Sequence, residues 1–399
     1  MAVVPASIAI AEDEYRARCA HLQEHCRDQG YDGIVIFDHQ YILYYAGFAF
    51  IPTERPIAFA MNVRGERALF VPRLEVEHAQ SLALIDRVDH YLEYPDRRHP
   101  MALFAQTLQE MGIQGRIGAD RDGYPWVMGY RGPPLSELIA AEVVSIVATI
   151  EDQMMIKSPA EVALIAESCK WGNLAHMLLQ RYTRPGITET EVSQRASDEA
   201  TRAMLDAIGP IYRSQSWHGN ASAGYRGQIG RNAAIPHALA NNIAFQEGDV
   251  LVTGAGAAVW GYTSELERTM FIGPPTAGQR RFFDHMVALQ DLALAAIEPG
   301  RPCADVDRAV RAYYEEHDLW PHWKHHVGHA IGMRYHEGPF LDHGDATVIQ
   351  PGMLFTVEPG LYSAELGGYR HSDTVLVTED GIEFLTYYPR DIESLTIPV

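Results

Sequence analysis

An α/β domain followed by an α+β domain is the fold class this sequence predicts, and three observations predict it. Up to about residue 150, apolar runs of strand length alternate with helical stretches. Beyond that point two capping boxes start long helices, and strand-like segments then segregate from helical ones. A chain of 399 residues that is 47% hydrophobic can also bury more than one core.

In chain order, residues 15–26 read as a helix and the apolar run 33–37 as a strand. Strand-like stretches at 57–61, 68–71, 116–119 and 143–147 alternate with helical ones near 75–84 and 101–111. The polar segment 151–158 closes this domain, giving expected boundaries of 1–152 and 153–399. Ser158, Pro159 and Glu161 then supply an N-cap, a proline at the first helical position and a glutamate at N3. Thr188 and Glu191 repeat the box after the Pro185-Gly186 break, starting a helix to about Leu205. Later strands are expected at 249–253, 268–272, 353–357 and 374–377, and helices at 277–297 and 304–316.

Composition excludes several partners. Asp plus Glu number 52 against 32 Lys plus Arg, and the resulting charge of −20 repels nucleic acid and anionic membrane surfaces. There is no long apolar run, and residues 1–12 lack the basic start and apolar centre of a secretory signal, so a cytoplasmic location is expected. The four cysteines show no C-x-x-C spacing, which predicts reduced thiols and no thiolate zinc site.

Chemistry-bearing residues gather in the second half. Asn232 and His237 form N-x-x-x-x-H, and Gly261-Tyr262-x-Ser264-Glu265-x-Glu267-Arg268-Thr269 follows. His326-x-Gly328-His329-x-x-Gly332 comes next, trailed by His336-Glu337, and Glu358-Pro359-Gly360 completes the set. This order resembles the creatinase, prolidase and methionine aminopeptidase family, the pita-bread hydrolases. The resemblance implies a creatinase-like N-terminal domain and a pita-bread catalytic domain. It also implies where the two divalent cations of metal-using members would be held: at positions 254, 265, 329, 358 and 372. Here those are Gly254, Glu265, His329, Glu358 and Ser372. Glycine has no donor and serine no carboxylate, so the expectation is a site with no metal and no cofactor. A single ion on Glu265, His329 and Glu358, or Asp373 swinging in for the lost carboxylate, remains open.

Within that family the chain is most similar to metal-free members that open the cyclic amidine ring of ectoine to N-acetyl-2,4-diaminobutyrate. The implied function is therefore metal-independent hydrolysis of a non-peptide C–N bond. Glu265 would be nucleophile or water-aligning base, Glu358 would stabilise the cation, and His237, His329 and His336 would complete the catalytic set. Acids with no cation to neutralise them favour a cationic or zwitterionic small molecule as substrate. Arg370 or Arg55 would take its carboxylate, Trp217 would lie against its cation, and Phe50 and Tyr262 would complete the binding set. The resemblance further implies a homodimer whose sites are closed by the neighbouring subunit's first domain. A creatinase-type amidinohydrolase, a metal-dependent Xaa-Pro peptidase and an inactive binding homologue are the alternatives. Glu265 and Glu267 together also read as a solvated strand edge.

Overall fold

The structure, a computed structural model, describes residues 8–82, 84–209 and 220–399. The described residues divide into two compact units: Ile10–Met154 form the first, and Met155 onward, together with residues 8–9, form the second.

The first unit is built on a six-stranded mixed sheet. Its elements are α1 (Glu12–Asp28), β1 (Gly33–Ile36), α2 (His39–Ala46), β2 (Ala58–Asn62), β3 (Arg67–Pro72), α3 (Val76–Gln80) and β4 (Arg87–Tyr91). Then follow α4 (Pro100–Glu110), β5 (Arg116–Ala119), α5 (Leu135–Leu138), β6 (Glu142–Ser145) and α6 (Val147–Met155). The strand order is β4-β3-β2-β1-β5-β6. β1, β2 and β3 pair antiparallel and the remaining neighbours parallel. One face of the sheet packs Phe37 and Phe70 against Phe104 of α4. The periodicity misses β4 because Arg87 and Asp89 interrupt its apolar pattern. The strand lies at a sheet edge, where charge discourages pairing with another chain.

The second unit opens with α7 (Pro159–Tyr182), whose capping box is complete: Ser158 Oγ accepts from the Glu161 N–H, and the Glu161 carboxylate accepts from the Ser158 N–H. α8 (Glu189–Ile208) has only half of its box. Thr188 accepts from the Glu191 N–H, while the buried Glu189 carboxylate takes the backbone N–H groups of Gly227 and Asn241. The chain continues through β7 (Ser222–Gly224), β8 (Val250–Val252), β9 (Gly254–Gly256), β10 (Ala258–Val259), β11 (Tyr262–Thr263), β12 (Thr269–Ile272), α9 (Ala277–Ala296) and α10 (Cys303–Glu316). It ends with β13 (Gly328–Ala330), β14 (Glu337–Leu341), β15 (Leu354–Val357), β16 (Gly360–Ser363), β17 (Gly367–Arg370), β18 (Asp373–Thr378), β19 (Gly381–Phe384) and β20 (Thr396–Ile397). The five-stranded antiparallel sheet β14-β13-β15-β18-β19 is the frame of the unit. Several other strands span only two or three residues, too short for a period to show in the sequence. Gly328 has to be glycine, because a Cβ there would sit 2.0 Å from the Thr356 carbonyl oxygen.

One buried cation ties this frame together. Arg268 is fully buried and donates to the carbonyls of Glu267, Ser372, Tyr388 and Pro389 and to Asp373 Oδ1 at 2.8 Å. Asp373 also accepts from Thr386 and Gln290, so it is held away from the role of substitute metal ligand that the sequence left open for it. All four cysteines are free and buried. Among the described residues no helix is long and apolar enough to cross a membrane. Replacing Arg268 with methionine strands a buried carboxylate and several carbonyls, a loss of about 3–5 kcal/mol. The thermal unfolding midpoint followed by circular dichroism should fall by about 10 °C, and an unchanged midpoint would remove Arg268 from this role.

Candidate active site

Three segments of the second unit bring the carried chemistry to one point. His329 sits on β13, opposite Thr356 of β15. Glu358 directly follows β15, where its N–H donates to the Val327 carbonyl. Glu265 is clasped to β18 by its backbone: its N–H donates to Thr374 Oγ1, and that hydroxyl donates to the Glu265 carbonyl. One ligand atom from each of Glu265, His329 and Glu358 therefore lies within 4.8 Å of the others. His329 Nδ1 is 3.0 Å from the Ala330 carbonyl, which fixes the proton on that nitrogen and turns Nε2 toward the acids. Nε2 is buried, lies 3.4 Å from Glu358 Oε1, and has no hydrogen bond of good geometry.

Each acid has a defined counter-charge. Glu358 Oε2 is 3.5 Å from Arg370 Nε. The Arg370 guanidinium is buried against Glu267, with Nη2 2.7 Å from Oε1, and its Nη1 donates to the Tyr362 hydroxyl. Glu267 also receives Arg226 Nη2 at 2.9 Å. Three carboxylates thus face two guanidiniums and one imidazole. Burial pushes the Glu265 carboxyl up to about 7, helped by the negative charges of Glu358 and Glu267. Burial also works against the Glu358 charge, but His329 and Arg370 outweigh it and hold that carboxyl well below the usual range. For the His329 imidazole, burial is outweighed in the same way by Glu358 and Glu265, and its pKa rises to about 9. The acids are therefore balanced internally, and the sequence-based premise of a pocket needing a cationic substrate to neutralise it does not hold. Glu267 is only 3% exposed, so it is not a solvated strand edge either.

A metal pair does not fit this site. Position 254 offers no donor, Ser372 Oγ donates to Glu265 Oε1 at 2.8 Å, and Asp373 is held by Arg268. A Cβ built on Gly254 would meet Glu267 Oε1 at 3.5 Å and Arg226 Nε at 3.8 Å, so an ion pair flanks the place where the missing ligand would stand without occupying it. A single ion does fit. Two carboxylates and a buried imidazole nitrogen supply three protein ligands of types that bind divalent ions.

Other residues expected at the site are placed as follows. The His336 ring stacks on His329 with centroids 3.9 Å apart, and His326 lies 6.0 Å from the same ring. His237 is exposed. The His336 pKa is lowered by burial first, then by His329 and, more weakly, by His326 and His237. Tyr262 is buried and spends its hydroxyl on Glu161, at 2.8 Å. Glu337 forms a buried pair with Lys157, also at 2.8 Å, and a Cβ on Gly332 would collide with both. Arg55 and Phe50 belong to the first unit, where Arg55 pairs with Glu93 and Glu54 and Phe50 stacks on Phe48. Trp217 lies outside the described residues. Sequence reasoning missed Arg226. Its only local signal is its place in Gly224-Tyr225-Arg226-Gly227, where it adopts the left-handed φ of 52°, a strained conformation of the kind found at functional sites.

Comparison with known proteins fits this geometry. Residues 163–379 match Metallopeptidase family M24, and residues 18–154 match the Creatinase/Prolidase N-terminal domain. The Xaa-Pro dipeptidase of Pyrococcus furiosus is 29% identical over 327 residues, covering 82% of this chain and 86% of that protein. The solved Xaa-Pro dipeptidase from Bacillus anthracis superposes with a TM-score of 0.79 at 25% identity, over 96% of this chain and 100% of that one. The prolidase from Pyrococcus furiosus shares the fold, with a TM-score of 0.75 at 24% identity over 92% and 99% of the two chains. These findings correct the expectation of a metal-independent enzyme opening the cyclic amidine of ectoine. The matched family is one of metallopeptidases, the similar proteins are named for peptide substrates, and Glu265, His329 and Glu358 form a group able to hold an ion. With a creatinase-type first domain, a pita-bread second domain and the matching motif residues gathered at one point, this chain belongs to Metallopeptidase family M24.

Proposed function

We propose that this chain hydrolyses the peptide C–N bond of a small substrate of the Xaa-Pro dipeptide kind, in the cytoplasm, with a single divalent metal held by Glu265, His329 and Glu358. One observation carries the reading: three donors of suitable type converge within 4.8 Å, one of them a buried imidazole nitrogen with no hydrogen bond. The names of the similar proteins support the substrate class. Such an ion, when bound, polarises a carbonyl and lowers the pKa of a water molecule. Binding the ion would displace the proton from His329 Nε2, leaving Arg370 and the ion itself as the positive charges facing the Glu358 carboxylate. His336, exposed and with its pKa lowered by burial and by His329, is a neutral base near pH 7 able to carry a proton between the site and solvent. His237 and His326 extend that route. Large apolar residues exposed on the first unit, Ile51, Trp126 and Met128, suit an interface, and they support a homodimer in which Arg55 and Phe50 of a neighbouring subunit help close the site. Sedimentation should then find a dimer, and a fully active monomer would overturn that arrangement.

Calorimetric titration of chelator-stripped protein with manganese or zinc should show one ion per chain, and Ala-Pro hydrolysis should rise in step with it. Two ions per chain, full turnover after stripping, or no dipeptide turnover with any metal would each reject the reading. His329→Ala should abolish both metal binding and turnover.

The Glu265 carboxyl gives a separate test. Its folded pKa of about 7 lies above the ordinary 4.5, so between those values the folded state binds more protons than the unfolded. Metal-free protein should therefore lose stability as pH rises from about 4.5 to 7. In Glu265→Gln this component of the slope should vanish, leaving the variant the more stable form at neutral pH. Parallel melting-temperature profiles for the two proteins across that range would contradict it.

A further inference from the structure

We propose that the Arg226 guanidinium anchors a carboxylate of the substrate, seated where this chain has given up a metal ligand; the inference rests on the reading of the chain as a hydrolase of small peptides. Gly254 leaves open the space into which a side chain would project. The atoms flanking that space are Glu267 Oε1 at 3.5 Å and Arg226 Nε and Cζ at 3.8 and 3.9 Å from the built Cβ. A positive group therefore stands beside the space at Gly254, bonded to Glu267, whose other partner Arg370 lies 3.5 Å from Glu358 of the Glu265, His329 and Glu358 cluster.

The arginine is held for binding and is not consumed by the protein. Its backbone sits at φ 52°, followed by Gly227 at φ 76°, and the Gly227 N–H is pinned by the buried Glu189 carboxylate at 2.7 Å. Its Nη2 is spent on Gln228 Oε1 at 3.1 Å and Glu267 Oε1 at 2.9 Å. Among the described residues Nε and Nη1 have no hydrogen-bond partner, and the side chain is 46% exposed. Arg370, the candidate suggested by the sequence, is the opposite case. It is buried, with Nε and Nη2 on Glu267 and Nη1 on the Tyr362 hydroxyl. The two arginines share the Glu267 carboxylate, Arg370 also faces Glu358, and of the two guanidiniums Arg226 is the one presented to solvent. An incoming carboxylate gains charge-assisted hydrogen bonds from Nε and Nη1. An amide in the same place would meet donors with its own N–H groups.

Calorimetry with L-proline and L-prolinamide on the metal-loaded full chain tests this without requiring turnover. Wild-type protein should bind proline at least 10-fold more tightly than prolinamide, on the order expected for a hydrogen bond to a charged group. Arg226→Gln should lose that preference while keeping its melting temperature, and Arg226→Lys should recover part of it. A preference retained in Arg226→Gln, or no preference or no proline binding in wild type, overturns the proposal. The Ala-Pro assay separates the two readings. Proline held through Arg226 in a protein with no dipeptide turnover keeps this inference and rejects the peptidase. Dipeptide turnover with an unchanged carboxylate preference in Arg226→Gln does the reverse.

Discussion

Charge balance in a water-poor site is the constraint on which the rest of this structure depends. Glu265, Glu267 and Glu358 approach one another in the second unit, and like charges at such range cannot all persist without counter-charges. The fold answers with Arg370 and Arg226 around Glu267, and with His329 and Arg370 around Glu358. Only Glu265 lacks a guanidinium of its own, and its carboxyl is the one raised toward neutrality.

Four positions in this chain form one coupled arrangement. Gly254 stands where the resemblance implies a carboxylate, Glu267 supplies one a short distance away, and Arg226 and Arg370 occupy it. Ser372 replaces a second carboxylate with a hydroxyl that donates to Glu265. Glu265, His329 and Glu358 remain close enough to hold an ion, and two arginines supply positive charge around Glu267. Beneath it, Arg268 and Asp373 lock β18 to the segment that carries Glu265 and Glu267, so the reactive groups stand on a rigid base.

Much of the fold is legible in the sequence where the signal is local. The Ser158 box sets the start of α7, and the apolar runs give the central strands to within a few residues. β4 was hidden by its charges, and the two- and three-residue strands by their brevity. At the site, the motif order picked out Glu265, His329 and Glu358, which the structure brings together, and His336, which it stacks beside them. It gave Arg370 a substrate to bind, whereas the structure gives it Glu267. It passed over Arg226, because an arginine between a tyrosine and a glycine carries no pattern.

The amino-acid sequence by itself determined the two-domain plan, the helix starts, the acidic charge and the presence of Gly254 and Ser372 where the family resemblance implies metal ligands, because each is a property of residue type or of short-range spacing. Tertiary structure alone decided how the acids are neutralised. The pairs responsible join residues 41 and 103 positions apart in the chain, Arg226 with Glu267 and Glu267 with Arg370. Coulombic energy depends on distance in space and on burial, neither of which a linear pattern contains.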